Sequence, residues 1–153
     1  MSLNMGDKLI IDNTDEFKFM YKLDKELNNN NIKIIRTNKK NKILYDPYCC
    51  VDYVILYKNE ILCYIELKSR KKSLKYYYGL LIGSTKLYNI DKLEYHTLIV
   101  WEDLTDTYWC EYSRELLKLP DKLCNNSLCK TIPNLYIHNT SITSKINSYI
   151  RTA

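Results

Sequence analysis

Apolar residues along the chain recur with two periods, and the switch between them outlines an α/β domain. After Asn13-Thr14-Asp15, which offer capping side chains, Met20, Leu23 and Leu27 fall on one stripe with Phe17 beside it. That spacing predicts a helix over 13–27, stopped by the four asparagines 28–31. Residues 32–37 alternate as a strand, 38–42 form a basic polar turn, and 43–48 either extend the strand or bridge to the next. Segments 51–57 and 61–68 are apolar on both faces, with Val51, Tyr53 and Ile55 on one and Val54 and Leu56 on the other. Strands of that kind sit inside a sheet with helices above and below. Ser73 can cap a helix over 73–88, where Leu74, Tyr77, Tyr78, Leu81, Ile82, Thr85 and Tyr88 fall at helical spacing. Gly79 and Gly83, four apart, would let that helix pack closely on a neighbour. Strands are expected at 96–101 and 108–112 around the acidic turn 102–106, then a short strand at 135–138 and a helix from about Ser141. No repeat and no Pro, Gly or Ser linker divides the chain, so one domain is expected, its core at about 14–112 and a C-terminal extension at 113–153.

Composition narrows the class without naming a function. The chain has 153 residues, 46% of them hydrophobic and 27% charged, which suits one globular domain. No stretch is apolar enough to span a bilayer, and residues 1–13 lack the apolar core of a signal peptide, so an intracellular protein is expected. A net charge of +5 favours polyanions such as nucleic acid but does not demand them. The excess of Lys over Arg, with abundant Asn, Ile and Tyr, fits an AT-rich coding genome, viral or from a low-GC cell. Six cysteines form no C-x-x-C pair, which argues for reduced, mostly buried thiols over a zinc site. His96 and His138 stand alone and are read as structural. The run Tyr76-Tyr77-Tyr78 offers rings that can stack on bases, although its helical spacing favours packing.

The chemistry concentrates between Val51 and Lys72. Glu66 and Lys68 are two apart on one strand and so share a face. Whether Asp52 joins them depends on hairpin register: a three-residue loop centred on Asn59 places it opposite Glu66, whereas a two-residue loop turns it to the other face. In the first register two carboxylates lie roughly 5 Å apart with an amine two residues along. Such a pair is costly without a cation between its members, and hard oxygen ligands point to Mg²⁺ or Mn²⁺. The tripeptide Glu66-Leu67-Lys68 alone would be an ordinary surface ion pair. Its place at the end of a two-sided apolar strand, after a partner bearing an aspartate and before Arg70-Lys71-Lys72, sets it apart.

Asp52, thirteen intervening residues, then Glu66-Leu67-Lys68 resembles the motif of the PD-(D/E)XK phosphodiesterase superfamily, over about residues 14–101. The resemblance implies an α/β, restriction-endonuclease-like core: a central mixed sheet flanked by helices in the order α-β-β-β-α-β. It implies a metal-dependent nuclease using metal-activated water on nucleic acid, with DNA the first expectation. Asp52 and Glu66 would be metal ligands with the carbonyl of Leu67, and Lys68 the catalytic lysine. Glu16 in the first helix would be an extra acidic group, with Glu26 the fallback. Lys86 on the second helix, and Arg70, Lys71 and Lys72, would contact the nucleic acid. Some members dimerise, so a homodimer is among the arrangements implied, and no membrane partner is. The usual proline before the aspartate is absent; Val51 stands there, and Asp46-Pro47 upstream makes Asp46 a rival. The other readings are a catalytically silent binding module on this fold, an RNA nuclease, and a small interaction protein in which the motif is coincidence.

Overall fold

The computed structural model describes residues 15–37, 51–75 and 77–152, with the side chains of 15–17 left out. Helix α1 (Asp15–Leu27) buries Met20, Leu23 and Leu27, the stripe read from the sequence. It ends where Asn28 adopts a left-handed φ of 45°, with its N–H on the Asp24 carbonyl, a conformation asparagine tolerates better than most residues. Three strands follow: β1 (Ile32–Arg36), β2 (Tyr53–Tyr57) and β3 (Glu60–Ser69). Beyond them come β4 (Gly79–Gly83), α2 (Ser84–Asp91), β5 (His96–Glu102) and β6 (Thr107–Glu111). A 3₁₀ turn (Arg114–Lys118), β7 (Lys122–Cys124), β8 (Ser127–Pro133), a second 3₁₀ turn (Asn134–Tyr136) and helix α3 (Ile142–Thr152) complete the order.

The central sheet runs β1-β2-β3-β5-β6; β3 and β5 are parallel and the other pairs antiparallel. It is a mixed sheet flanked by helices, and the expected order α-β-β-β-α-β is present with β4 added before α2. One face buries Ile55, Ile65, Leu67, Leu98 and Val100 against α1 and α3. The other buries Val54, Tyr64, Ile99 and Trp101 against β4, α2 and β8. Each fully buried side chain of this size contributes about 1.5–3 kcal/mol, so both layers are needed to hold β3 in the middle. Among the described residues no helix is long and apolar enough to cross a membrane.

Three expectations are corrected. Residues 73–88 do not form one helix: the described residues 73–75, 77 and 78 are non-helical, 79–83 form β4, and the chain turns helical only at Ser84. Leu80 and Ile82 point inward and Leu81 outward, the period of a strand, because β4 pairs with β8 in a second sheet ordered β4-β8-β7. Tyr77 and Tyr78 are therefore exposed and not packed on a helix. Residues 135–138 are not a strand, since 134–136 form a 3₁₀ turn and only His138 bridges to Trp109. The β7–β8 hairpin has no counterpart in the sequence reading.

Candidate active site

The β2–β3 hairpin decides the site. Its loop has two residues, not the three expected, with Tyr57 opposite Glu60 and both Lys58 and Asn59 left-handed at φ 52° and 68°. Such a turn alone would send Asp52 to the wrong face. A β-bulge between Ile61 and Cys63 adds Leu62 to one strand, so the register shifts from Leu56↔Ile61 to Ile55↔Cys63. Pairing then continues to Tyr53↔Ile65 and stops there, leaving Asp52 just outside the ladder and close enough to act on the Glu66 charge. The Asp52 N–H donates to the Ile65 carbonyl, and its Oδ2 accepts the Leu67 N–H at 2.8 Å. That bond fixes the aspartate side chain where the backbone ladder stops.

Glu66 is only 2% exposed. Its Oε2 pairs with Lys68 Nζ at 2.8 Å, and Lys86 Nζ, on α2, stands 3.5 Å from Oε1. That second contact lacks hydrogen-bond geometry, and Oε1 is a buried oxygen with no hydrogen-bond partner. Burial, and after it the charge of Asp52, push the Glu66 carboxyl above its ordinary range; Lys68 and Lys86 pull the other way and do not prevail. An orphaned carboxylate oxygen beside a second carboxylate fits a hard divalent cation held by Asp52 and Glu66. Among the described residues no three Asp, Glu, His or Cys side chains cluster as a complete ligand set. Such a cation would therefore need backbone, water or phosphate oxygens as well.

The remaining candidates divide. Arg70, Lys71 and Lys72 are exposed just past β3, with the Arg70 Nη1 on the Ser69 carbonyl. Glu16 belongs to the first turn of α1, which packs on the sheet face opposite Glu66; its side chain lies outside the described residues. Glu26 is exposed and pairs with Lys22 at 3.9 Å. Asp46 and Tyr76 lie outside the described residues, as do Cys49 and Cys50. Cys63 and Cys110 are buried thiols whose ionisation burial suppresses, Cys110 to about 12. His96 pairs with Glu111 at 3.4 Å, and His138 stacks on Trp109, away from the motif residues.

One set of residues escaped the sequence reading. Ser69 Oγ donates to Glu102 Oε1, the Arg70 N–H to the Glu102 carbonyl, and the Leu74 N–H to Asp103 Oδ2. Asp103 also accepts the N–H groups of Thr105 and Asp106, so the acidic turn anchors the basic segment that follows Lys68. The signal was an aspartate opening a turn, which caps its own backbone two and three residues on. A concavity of about 500 Å³ lies beside this turn, between α1 and the ends of β3 and β5; Asp52, Glu66 and Lys68 do not line it.

Neither a protein-family model nor a curated protein sequence matches the chain. Among solved structures it is similar to Hjc, a Holliday junction resolvase from the archaeal hyperthermophile Archaeoglobus fulgidus, at 14% sequence identity and a TM-score of 0.49, over 86% of this chain and 98% of that one.

Proposed function

We propose that this chain is a divalent-metal-dependent nuclease that hydrolyses phosphodiester bonds in nucleic acid, with DNA the first substrate to test. The observation that carries the reading is the convergence of Asp52, Lys68 and Lys86 on one buried carboxylate, Glu66, whose Oε1 has no hydrogen-bond partner. An ion pair kept only for structure has no need of a second acid, Asp52, beside the buried Glu66, where their repulsion lowers stability. Mg²⁺ or Mn²⁺ held there would supply Lewis acidity toward a phosphate oxygen and ease deprotonation of water. The protein's own residues do the rest. The Leu67 N–H orients Asp52. Lys68, held 2.8 Å from Glu66 and about a quarter exposed, keeps an ammonium where it can orient attacking water or meet charge developing on the phosphate. Lys86 offers a second cation from α2 on the same side. Arg70, Lys71 and Lys72 supply phosphate contacts that position the strand without reading sequence.

The test is cleavage of labelled single-stranded, duplex and branched DNA, and of RNA, with Mg²⁺, with Mn²⁺ and with chelator. Asp52→Ala and Lys68→Ala should each reduce metal-dependent cutting at least about a hundredfold. Lys86→Ala, which leaves Lys68 in place, should cost less, on the order of tenfold. Cutting of equal strength in wild type and both severe variants would assign it to a contaminant and leave a non-catalytic binding module as the better reading.

A further inference from the structure

Between Glu66 and Asp91 the chain carries six Lys or Arg residues and no Asp or Glu. This stretch leaves the end of β3, crosses Arg70 to Tyr78, and returns through β4 and α2 to Glu66 by way of Lys86. Its backbone is tied down at intervals. The Arg70 and Leu74 N–H groups bond to Glu102 and Asp103, Asn134 Nδ2 donates to the Tyr77 carbonyl at 3.1 Å, and Gly79 packs against the Ile132 carbonyl. The side chains on this held backbone point to solvent: Arg70, Lys71 and Lys72 are exposed, Tyr77 is 51% exposed and Tyr78 95%. A tyrosine this exposed adds nothing to the core, and holding it out over water forgoes the burial that its ring would otherwise gain.

From this juxtaposition of anchored cations and an uncovered ring we infer that the segment binds single-stranded nucleic acid, stacking an unpaired base on Tyr78 while Arg70, Lys71 and Lys72 hold the phosphates. Charge complementarity commits the occupant to a polyanion, and the ring commits it to one with open base faces. Duplex bases are already stacked on one another, so an intact duplex offers the ring nothing. The five residues of β4 lie between Tyr78 and Ser84, so six rises set them roughly 20 Å apart, the length of a few nucleotides. The platform thus holds an unpaired strand a short way from Glu66, which deepens the nuclease reading by naming its substrate class and rests on that reading for its purpose.

The experiment measures binding alone, in chelator, so that cleavage plays no part. The full chain is titrated into a single-stranded DNA oligonucleotide bearing 2-aminopurine and, in parallel, into a blunt duplex, following anisotropy and 2-aminopurine fluorescence. Wild type should bind the single strand more tightly and quench the probe. Tyr78→Ala should weaken single-strand binding about tenfold and abolish the quench while changing duplex binding less than about twofold. Tyr78→Phe should keep both. Lys71→Ala with Lys72→Ala should weaken both substrates and flatten the salt dependence. Unchanged single-strand binding in Tyr78→Ala, or equal losses on both substrates, overturns the inference. Tyr78-dependent binding without metal-dependent cleavage would keep the platform and remove the nuclease.

Discussion

Glu66 is the residue at which folding and chemistry pull apart. A carboxylate 2% exposed loses most of its hydration, and Asp52 beside it adds repulsion. Lys68 and Lys86 recover part of that cost without cancelling it, and the carboxyl stays above its ordinary range. Glu66→Gln keeps the shape and removes the charge. The two lysines it releases are 24% and 28% exposed and can turn to water, so neither is stranded. The variant should therefore gain about 1 kcal/mol, or about 3–4 °C in Tm, while losing cleavage. Thermal unfolding at pH 7 with chelator reads the first effect; a lower Tm would mean that the ion pairs outweigh the buried charge. Repeating the melt with Mg²⁺ or Mn²⁺ should raise wild type and leave Glu66→Gln unmoved. At this scale the sequence was informative, because period two alone puts Glu66 and Lys68 on one face. Asp52 reached the expected place by an unexpected route. The short turn and the bulge at Leu62 are two departures that cancel, and a bulge has no short-range signature that counting residues reveals.

Among the elements, β4 shows where local pattern loses to long-range pairing. Its sequence Gly-Leu-Leu-Ile-Gly satisfies helical spacing as well as alternation, and the partner that selects the strand, β8, lies some fifty residues on. The two glycines also turn out to do different things. A Cβ on Gly79 would lie 2.4 Å from the Ile132 carbonyl oxygen and 2.8 Å from Thr131 Cγ2, so the strand pair itself must open to admit it. One on Gly83 would meet nothing within 4 Å, and its φ of −62° suits any residue. Gly79→Ala should cost about 2–3 kcal/mol by overpacking. Gly83→Ala should fall within about 0.5 kcal/mol of wild type, a weaker helix cap offset by a less flexible unfolded chain. Urea unfolding of both variants separates them, and similar changes in the two would show that the β4–β8 contact is looser than this geometry requires. The β7–β8 hairpin was missed for a related reason. Its Asn125 and Asn126 are both left-handed, at φ 48° and 68°, like Lys58 and Asn59, but β7 has only three residues and is too short to show alternation. Helix α1 and strands β1, β2, β3, β5 and β6 were legible because each carries its own apolar periodicity.

Across the whole molecule the two faces of the sheet divide the labour. One carries Glu66 with β4 and α2, while α1 and α3 cover the other and give β3 its rigidity. Helix α3 is short, so its docking needs more than Ile142 and Ile146. Glu111 at the end of β6 provides it: Tyr149 donates its hydroxyl to Oε2, Lys145 pairs with Oε1 at 3.2 Å, and His96, stacked on Tyr149, approaches Oε2 at 3.4 Å. Burial works to raise the Glu111 carboxyl, but the hydrogen bond from Tyr149 and the charges of Lys145 and His96 overcome it and hold the group below its ordinary 4.5. A carboxyl lowered on folding contributes stability that is fully present above 4.5 and is lost as pH falls through the folded value. Wild type should therefore lose stability below about pH 4.5 partly by releasing α3, with Asp103 and Asp121, also lowered, adding their share. Glu111→Gln should be less stable at pH 7 and show a shallower decline between pH 5 and 3, because one group fewer takes up a proton on unfolding. Urea midpoints across that range decide it. Parallel curves for the two proteins would mean that Glu111 does not carry the linkage, and that α3 is held by its apolar face alone.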